Sequence, residues 1–357
     1  MRTIATLFSG GEGVGVGARQ AGVKHLWGIE HDPDIAAVAE MNGFSATVAD
    51  VTTCDPDNFE RPDILHASPP CPNFSTAKTN RGETEADVAM GAAVGIFIRA
   101  MLPDVFTLEN VYGYRKSMSF QMILTTLRMD GYGLQWWHLN AADYGVPQTR
   151  KRLFLVALKD GIPQRLPATH RDPSTIVAAQ MGMLGARLSP WIGWYEAIED
   201  LIPTLPESQF APWQLNNLPA ELKAALLVSG AGRGDELCVT RVARAPATTV
   251  VASEPSRPTR AFLVGGQYGP PAGTPNRSAQ CTDGPAFTVT AVNKGDWIGA
   301  AAGRVVQMTP RALARFQSFP DWYELPEKKT LACRVIGNAV PPLLYRRVIE
   351  SALGGRS

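Results

Sequence analysis

Residues 4–17 have the sequence IATLFSGGEGVGVG, an apolar run that passes directly into a glycine-rich segment. The run from Ile4 to Phe8 predicts a buried strand, because short apolar runs bounded by turn residues are typical of parallel sheets. The glycines predict a turn into a helix, where backbone N–H groups can approach a ligand without intervening side chains. We expect this helix to reach about Ala21, with Gly22 as its stop.

The same unit of strand and helix recurs through the first half of the chain. Asp32 followed by Pro33 predicts the start of a second helix. Further helices are expected from about Glu85 to Met101 and from about Phe120 to Arg128. This alternation predicts an α/β fold with a doubly wound, mostly parallel sheet. Its other strands are expected at residues 26–29, 46–49, 63–67, 105–108, 134–139 and 152–157.

Polar or reactive residues follow several of these predicted strands. Glu30, Asp50, Cys71 and Glu109 each stand at or just beyond a strand end, as does the glycine-rich turn. In open α/β sheets, ligands bind beyond the carboxyl ends of the strands. The sequence therefore predicts a single site along this edge.

The composition argues against a disulfide-rich protein, a structural zinc protein and a membrane protein. The 357 residues carry a formal net charge of +1, so a polyanion would have to meet local patches of charge. Five cysteines without C-x-x-C spacing argue against a disulfide framework and a structural zinc site, and no metal is expected. No apolar run has the length of a membrane span, and the first is too short for a signal peptide. We therefore expect a cytoplasmic protein with no membrane partner.

Cys71 lies directly after two prolines, Pro69 and Pro70, that end the predicted fourth strand. Proline cannot donate to a strand ladder, so the cysteine is expected at a stiff strand exit. A cysteine there can act as a nucleophile if its pKa is lowered. The alternative is a small buried apolar residue, which is the usual role of a free cysteine.

A nucleotide site is predicted around the second and third strands. Glu30 is placed to accept hydrogen bonds from ribose hydroxyls, and Asp50 with Val51 could flank an adenine. Each acid could instead cap a helix. A strict G-x-G-x-x-G is absent, but residues 13–18 match the looser G-x-G-x-x-A. A dinucleotide-dependent oxidoreductase therefore stays open at this point.

Five short segments occur in a fixed order along the chain. They are Phe8-Ser9-Gly10, Pro70-Cys71, Glu109-Asn110-Val111, Gln148-Thr149-Arg150-Lys151-Arg152 and Gly337-Asn338-Ala339-Val340. Together they resemble the DNA (cytosine-5) methyltransferase family. The resemblance covers nearly the whole chain, apart from a middle portion that varies in that family. It implies a Rossmann-like, S-adenosylmethionine-dependent catalytic domain with a smaller, loop- and β-rich target-recognition domain.

The resemblance also implies roles around the cofactor, which would leave as S-adenosylhomocysteine. Phe8 would stack on its adenine, Glu30 would bind its ribose, and Asp50 would contact the adenine amino group beside Val51. Asn338 would close the pocket from the far end of the chain. The other residues expected at the cofactor are Ser9, Gly10, Gly11, Gly13, His31, Pro70 and Ala339.

For catalysis, the resemblance implies that Cys71 attacks carbon 6 of a flipped-out cytosine and Glu109 holds the ring by its Watson–Crick edge. Arg150 and Arg152 would lie near the base and the thiolate. Three residues depart from the family pattern. Thr6 stands where an acid is usual, and Glu12 stands where glycine is usual and could crowd the cofactor carboxylate. Pro72 replaces a usual glutamine and could alter the following loop.

The helix and strand rhythm fails from about Leu166 to Val306, and the resemblance implies that a target-recognition domain lies in this part of the chain. We expect a catalytic domain at residues 1–185 that resumes at residues 307–357, with a target-recognition domain at residues 186–306 between them. The partner is then double-stranded DNA in the cleft between the domains, bound by a monomer of prokaryotic or viral origin. The expected DNA-binding residues of the middle segment are Arg233, Arg257, Arg260 and Arg277.

Three alternatives are weighed against the resemblance. One is a sibling enzyme that methylates cytosine in RNA such as transfer RNA, which the long middle segment disfavours. The second is the nicotinamide-dependent oxidoreductase, which offers no use for Cys71, Glu109 and the arginine pair together. The third is a non-catalytic, cofactor-sensing DNA-binding protein, which would have no need of the nucleophile. The sequence leaves open the target site and the setting, whether restriction-modification, viral protection or regulation.

Overall fold

The computed structural model describes residues 1–70, 82–172, 188–208, 261–264, 279–281, 297–300 and 305–354. Strands and helices alternate through the first two of these stretches, as expected. Their bounds are β1 (Thr3–Leu7), α1 (Gly13–Gln20), β2 (Lys24–Glu30), α2 (Pro33–Met41), β3 (Ala46–Val48), β4 (Ile64–Ala67), α3 (Glu85–Met101), β5 (Val105–Asn110), α4 (Met118–Met129), β6 (Gly133–Asn140) and β7 (Lys151–Leu158).

These strands form one seven-stranded sheet in the order β3-β2-β1-β4-β5-β7-β6. Strands β1 to β5 pair in parallel, whereas β7 is antiparallel to both β5 and β6. The predicted doubly wound, mostly parallel α/β fold is confirmed. The reversal of β7 brings its first residues to the edge where β5 ends, which is the edge predicted to hold the site.

Local sequence signals account for the helix ends. The Asp32 side chain accepts hydrogen bonds from the backbone N–H groups of Asp34 and Ile35, and Pro33 occupies the first turn of α2. Gly22 follows α1 with φ of 75°, a conformation that favours glycine. Both predicted signals are confirmed.

The last part of the chain returns to the sheet through three helices, α6 (Pro310–Phe316), α7 (Lys329–Asn338) and α8 (Pro342–Gly354). Helix α8 lies so close to α1 that a Cβ at Gly17 would meet the carbonyl oxygen of Pro342 at 2.4 Å. The Tyr345 hydroxyl on α8 lies 3.1 Å from Oγ1 of Thr107 on β5. The return is therefore packed against the first part of the sheet.

The segment between contributes shorter elements. These elements are β8 (His170–Arg171), β9 (Ser189–Pro190), α5 (Trp194–Ile198), β10 (Glu207–Ser208), β11 (Ala261–Val264), β12 (Ala279–Cys281), β13 (Trp297–Ala300) and β14 (Val305–Gln307). Five of the strands form a separate sheet in the order β10-β14-β13-β11-β12, with every pairing antiparallel.

Candidate active site

A cavity of about 450 Å³ opens at the carboxyl ends of β1, β4 and β5. It brings together residues that are far apart in the chain, from the glycine-rich turn to the segment after α7. Most of the predicted site residues that the structure describes line it. They are Phe8, Ser9, Gly10, Gly11, Gly13, Glu30, His31, Pro70, Glu109, Arg150, Arg152, Asn338 and Ala339.

Glu30 at the end of β2 fixes the shape of one cavity wall. Its carboxylate is buried and accepts hydrogen bonds from the backbone N–H of Gly10 at 2.9 Å and of Asp32 at 3.0 Å. His31 Nδ1 lies 3.0 Å from the same carboxylate. One acid thus joins the glycine-rich turn to the start of α2.

Two glycines of the turn are required by the returning C-terminal segment. A Cβ at Gly11 would lie 2.4 Å from Cγ1 of Val335, and one at Gly13 would lie 2.5 Å from the carbonyl oxygen of Val340. The Tyr323 hydroxyl also donates to the Gly11 carbonyl at 2.5 Å. The sequence had indicated access for a ligand as the reason for these glycines. Close packing of residues 323–340 on the turn is a second reason.

Glu12 lies beneath the glycine-rich turn and not in the cavity. Its side chain is fully buried, and Oε1 accepts a hydrogen bond from Oγ1 of Thr6 at 2.5 Å and lies 2.9 Å from Nε2 of His25. The expectation that Glu12 crowds a ligand carboxylate is therefore wrong. The two departures from the family pattern, Thr6 and Glu12, are in contact with each other. The acid that is usual at position 6 of β1 is absent, and the turn supplies one at position 12. The Glu12 carboxylate contacts Thr6, the residue that stands in place of that acid.

This arrangement predicts that the two departures compensate each other. The Glu12→Gly variant should lose about 1–3 kcal/mol of unfolding free energy, because Thr6 and His25 lose a buried partner. The double variant Thr6→Asp with Glu12→Gly should recover most of this loss, since it returns a carboxylate to nearly the same place. Thermal unfolding measures the effect. A double variant no better than Glu12→Gly would contradict this prediction.

The acid and guanidinium groups form the opposite wall. Glu109 at the end of β5 is buried, and Nε of Arg152 lies 3.1 Å from its Oε1. Arg150 is also buried and donates from Nη1 to the Gly337 carbonyl at 3.1 Å, which ties this wall to α7. The antiparallel direction of β7 explains why the two arginines lie near Glu109. Because β7 starts at the edge of the sheet where β5 ends, Arg150 and Arg152 at its start lie beside Glu109 at the end of β5.

Burial governs the protonation of this cluster. Desolvation raises the pKa of Glu109, although the charges of Arg152 and Arg150 oppose the rise. Desolvation and the neighbouring Arg152 lower the pKa of Arg150 to about 9. The cluster therefore combines an acid biased towards its neutral form with two nearby cations.

The chain segment that follows β4 and leads to Cys71 is hydrogen-bonded to the end of β5, next to Glu109. Asn110 donates from Nδ2 to the Pro69 carbonyl at 2.9 Å, and its Oδ1 accepts from the Val111 N–H at 2.8 Å. Pro70, which directly precedes Cys71, lines the cavity. Cys71 and Pro72 lie outside the described residues, so the role of Cys71 stays a prediction.

Other predicted residues stand apart from the cavity or outside the described part of the chain. Asp50 accepts from the N–H and hydroxyl of Thr52, and these hydrogen bonds lower the pKa of its carboxyl. Val51 is buried in the cluster against which Phe8 packs. Neither Asp50 nor Val51 is a cavity-lining residue, and their contact with adenine stays a prediction. The predicted DNA-binding residues outside the described part are Arg233, Arg257, Arg260 and Arg277.

The structure adds cavity residues that the sequence did not single out. His66 on β4 is buried between Oγ1 of Thr107 at 2.8 Å and Oγ of Ser68 at 2.7 Å. Burial lowers the pKa of His66 to about 3, so the imidazole is neutral. Arg334 also lines the cavity and pairs with Asp32 at 2.7 Å. The only sequence signal for Ser68 was its place before the prolines; none marked His66.

Within the described residues, no cluster of three or more His, Cys, Asp or Glu side chains could hold a metal ion. A search of the same residues finds no helix long and apolar enough to cross a membrane.

Comparison with known proteins gives a consistent result. The family model described as C-5 cytosine-specific DNA methylase matches residues 2–202 and 274–353. The Type II methyltransferase M.AgeI of Thalassovita gelatinovora is 28% identical over 432 aligned residues, which cover 98% of this chain and 99% of the relative.

Solved structures agree in fold. An E. coli prophage protein described as a DNA modification methyltransferase aligns over 99% of both chains, with a TM-score of 0.62 and 17% identity. The Dnmt2 methyltransferase of S. pombe aligns over 99% of both chains, with a TM-score of 0.59 and 13% identity. At these identities the likeness shows the fold alone.

Proposed function

The chain belongs to the C-5 cytosine-specific DNA methylase family, and from this premise we propose that it transfers the methyl group of S-adenosylmethionine to carbon 5 of cytosine in double-stranded DNA. One observation carries the proposal. The Glu109, Arg150 and Arg152 cluster shares a cavity with the Glu30-bound glycine turn, so groups suited to a base and groups suited to a nucleotide cofactor face one space.

The cavity residues fit the proposed cofactor. Phe8 and Ile35 supply apolar wall, Glu30 supplies a buried carboxylate, and Arg334 supplies a cation. The Ser9 hydroxyl is buried without a hydrogen-bond partner in the described part of the chain, so it has capacity for a ligand. When bound, S-adenosylmethionine supplies an electrophilic methyl group and leaves as S-adenosylhomocysteine.

We assign the chemistry at the base to Cys71 and to the Glu109, Arg150 and Arg152 cluster. The Cys71 thiolate adds to carbon 6 of the cytosine, and the ring electrons move so that carbon 5 becomes nucleophilic. After methylation, a base removes the proton from carbon 5, and the electron pair returns to the ring and expels the thiolate. Neutral Glu109 donates to nitrogen 3 and accepts from the exocyclic amine, while Arg150 and Arg152 favour the thiolate. The base must leave the duplex to reach these groups.

The domain division is part of the proposal. The close packing of α8 on α1 supports residues 307–357 as a continuation of the catalytic domain begun at residues 1–185. The separate antiparallel sheet of β10 to β14 supports a target-recognition domain within residues 186–306. DNA would lie between them, read by the arginines expected in the middle segment.

Bisulfite sequencing of a bacterial host that expresses the protein tests this function. Cytosines at a recurring sequence in host DNA should resist conversion, and the same sites should convert in a host with the empty vector. Host transfer RNA, treated in parallel, should show no new protected position. Protection confined to transfer RNA would favour the RNA alternative, and protection in neither nucleic acid would overturn the proposal.

A further inference from the structure

A group of aromatic and basic side chains lies beside the cavity mouth, on residues that the proposed reaction does not use. A short helix at Tyr112–Lys116 directly follows β5 and the Glu109 segment. It meets the edge strand β6 and the first residue of β7. We call this surface the cationic rim and define it as Tyr112, Arg115, Lys116, Trp136, His138 and Lys151.

Ring contacts connect four of the six rim residues. The Tyr112 and His138 rings stack with centroids 3.6 Å apart at an interplanar angle of 22°. The guanidinium carbon of Arg115 lies 5.4 Å from the Tyr112 ring centroid and 5.0 Å from that of Trp136. Such contacts orient a guanidinium without using its N–H groups. The Arg115 side chain indeed donates no hydrogen bond to any described residue, and its Nε is buried without a partner among them.

The rim carries three cations that form no ion pair with a described residue. They are Arg115 and the exposed Lys116 and Lys151. The charge of Lys151 does act on the nearby Asp143 carboxyl, where it opposes the rise in pKa that burial causes. Besides burial, the influences that lower the pKa of His138 are the positive charges of Lys151 and Arg115. In a chain of net charge +1, this is a local concentration of positive charge.

The strand register places the rim relative to the catalytic cluster. His138 pairs with Leu153 and Asn140 pairs with Lys151, so His138 and Lys151 lie on one face of the sheet. Glu109 pairs with Phe154, which puts Glu109 and Arg152 on the other face. The rim residues His138 and Lys151 and the cluster residues Glu109 and Arg152 nevertheless stand at the same edge of the sheet. A duplex presenting a base to Glu109 would therefore run its flanking backbone past the rim.

We propose that the cationic rim binds phosphates of the DNA that flanks the target base. An oriented guanidinium with free donors suits phosphate oxygens, and exposed lysines add to the attraction as point charges. This inference rests on the proposed function, because it takes DNA as the substrate. It adds a binding surface in the catalytic domain to the recognition residues expected in the middle segment.

Salt-dependent DNA binding tests the rim with a charge-matched control. The variant carrying Lys116→Gln and Lys151→Gln removes two exposed charges from the rim. The control carrying Lys24→Gln and Lys159→Gln removes two exposed lysines from the opposite edge of the sheet, where β2 starts and β7 ends. Fluorescence anisotropy with a labelled duplex, in the presence of S-adenosylhomocysteine, gives Kd across a range of NaCl concentrations.

The rim variant should bind duplex DNA on the order of 10-fold more weakly at 0.1 M NaCl, and the slope of log affinity against log salt should fall by roughly 2. The control should match wild type in both quantities within about twofold. Arg115→Gln alone should lower the slope by about 1, and thermal unfolding checks that it folds.

Equal affinity and slope for the rim variant and its control would overturn the rim proposal, even if wild type methylates DNA. Failure of wild type to bind or methylate DNA would overturn the rim proposal and the proposed function together.

Discussion

The variant Cys71→Ser is expected to bind cofactor and DNA yet leave every cytosine of the target site unmethylated. A serine hydroxyl is far less acidic than a thiol, so the arginines of the site cannot hold it as an anion at neutral pH. Without covalent addition at carbon 6, carbon 5 stays a poor nucleophile. We expect a loss of methyl transfer on the order of 10⁴-fold or more. Transfer of a radioactive methyl group to duplex DNA measures it.

Cys54 offers a matched control for this variant. It is a free cysteine whose Sγ donates to the Asp50 carbonyl at 3.2 Å. Burial, and then the Asp50 carboxylate, raise the pKa of its thiol, so Cys54 is held protonated. Cys54→Ser should therefore retain methyl transfer within a few fold. Equal losses in both serine variants would indicate damage to the fold and remove the support for Cys71 as nucleophile.

A covalent trap separates the nucleophile from a merely structural cysteine. Fluorine at carbon 5 of the target cytosine cannot leave as a proton does, so the thiolate is not expelled after methylation. Wild-type protein should then stay attached to the DNA through denaturing electrophoresis, whereas Cys71→Ser should not. A stable adduct formed by the serine variant would rule out Cys71 as the attacking group.

Local sequence patterns were sufficient to predict the sheet and its edge. The glycine turn, the Asp32–Pro33 cap and the stop at Gly22 each depend on residues within one turn of one another. Because strand and helix alternate, those signals also placed Glu30 and Glu109 at one edge, and both line the cavity there. Order along the chain was enough for this because parallel strands all end on the same side.

Contacts between distant residues were not predictable in the same way. The packing of Val340 against Gly13, and the Tyr323 hydrogen bond to Gly11, join parts of the chain about three hundred residues apart. Glu12 in the glycine-rich turn is buried in contact with His25, which stands on β2. A pattern within one segment carries no record of such partners. The sequence therefore indicated where the site lies but not what holds it in shape.

The variant Glu109→Ala should lower kcat about 10²–10³-fold, because it removes a group that stabilises charge developing on the ring. Glu109→Gln should lose less than the alanine variant, since an amide can still donate to nitrogen 3 and accept from the exocyclic amine. Single-turnover methyl transfer at saturating DNA separates this effect from binding. Equal rates for the alanine variant and wild type would remove Glu109 from the reaction.

The pH dependence distinguishes the neutral acid from a mere spacer at position 109. Burial raises the pKa of Glu109, so the protonated form that donates to nitrogen 3 persists above the usual carboxyl range and is lost as pH rises through the raised value. The thiolate requirement acts in the opposite sense, because more Cys71 is ionised at higher pH. Wild-type kcat/KM should therefore rise and then fall with pH. Glu109→Gln cannot lose a proton, so its profile should keep the rise and lack the fall. A falling limb that persists in Glu109→Gln would assign that limb to another group and refute the neutral-acid role.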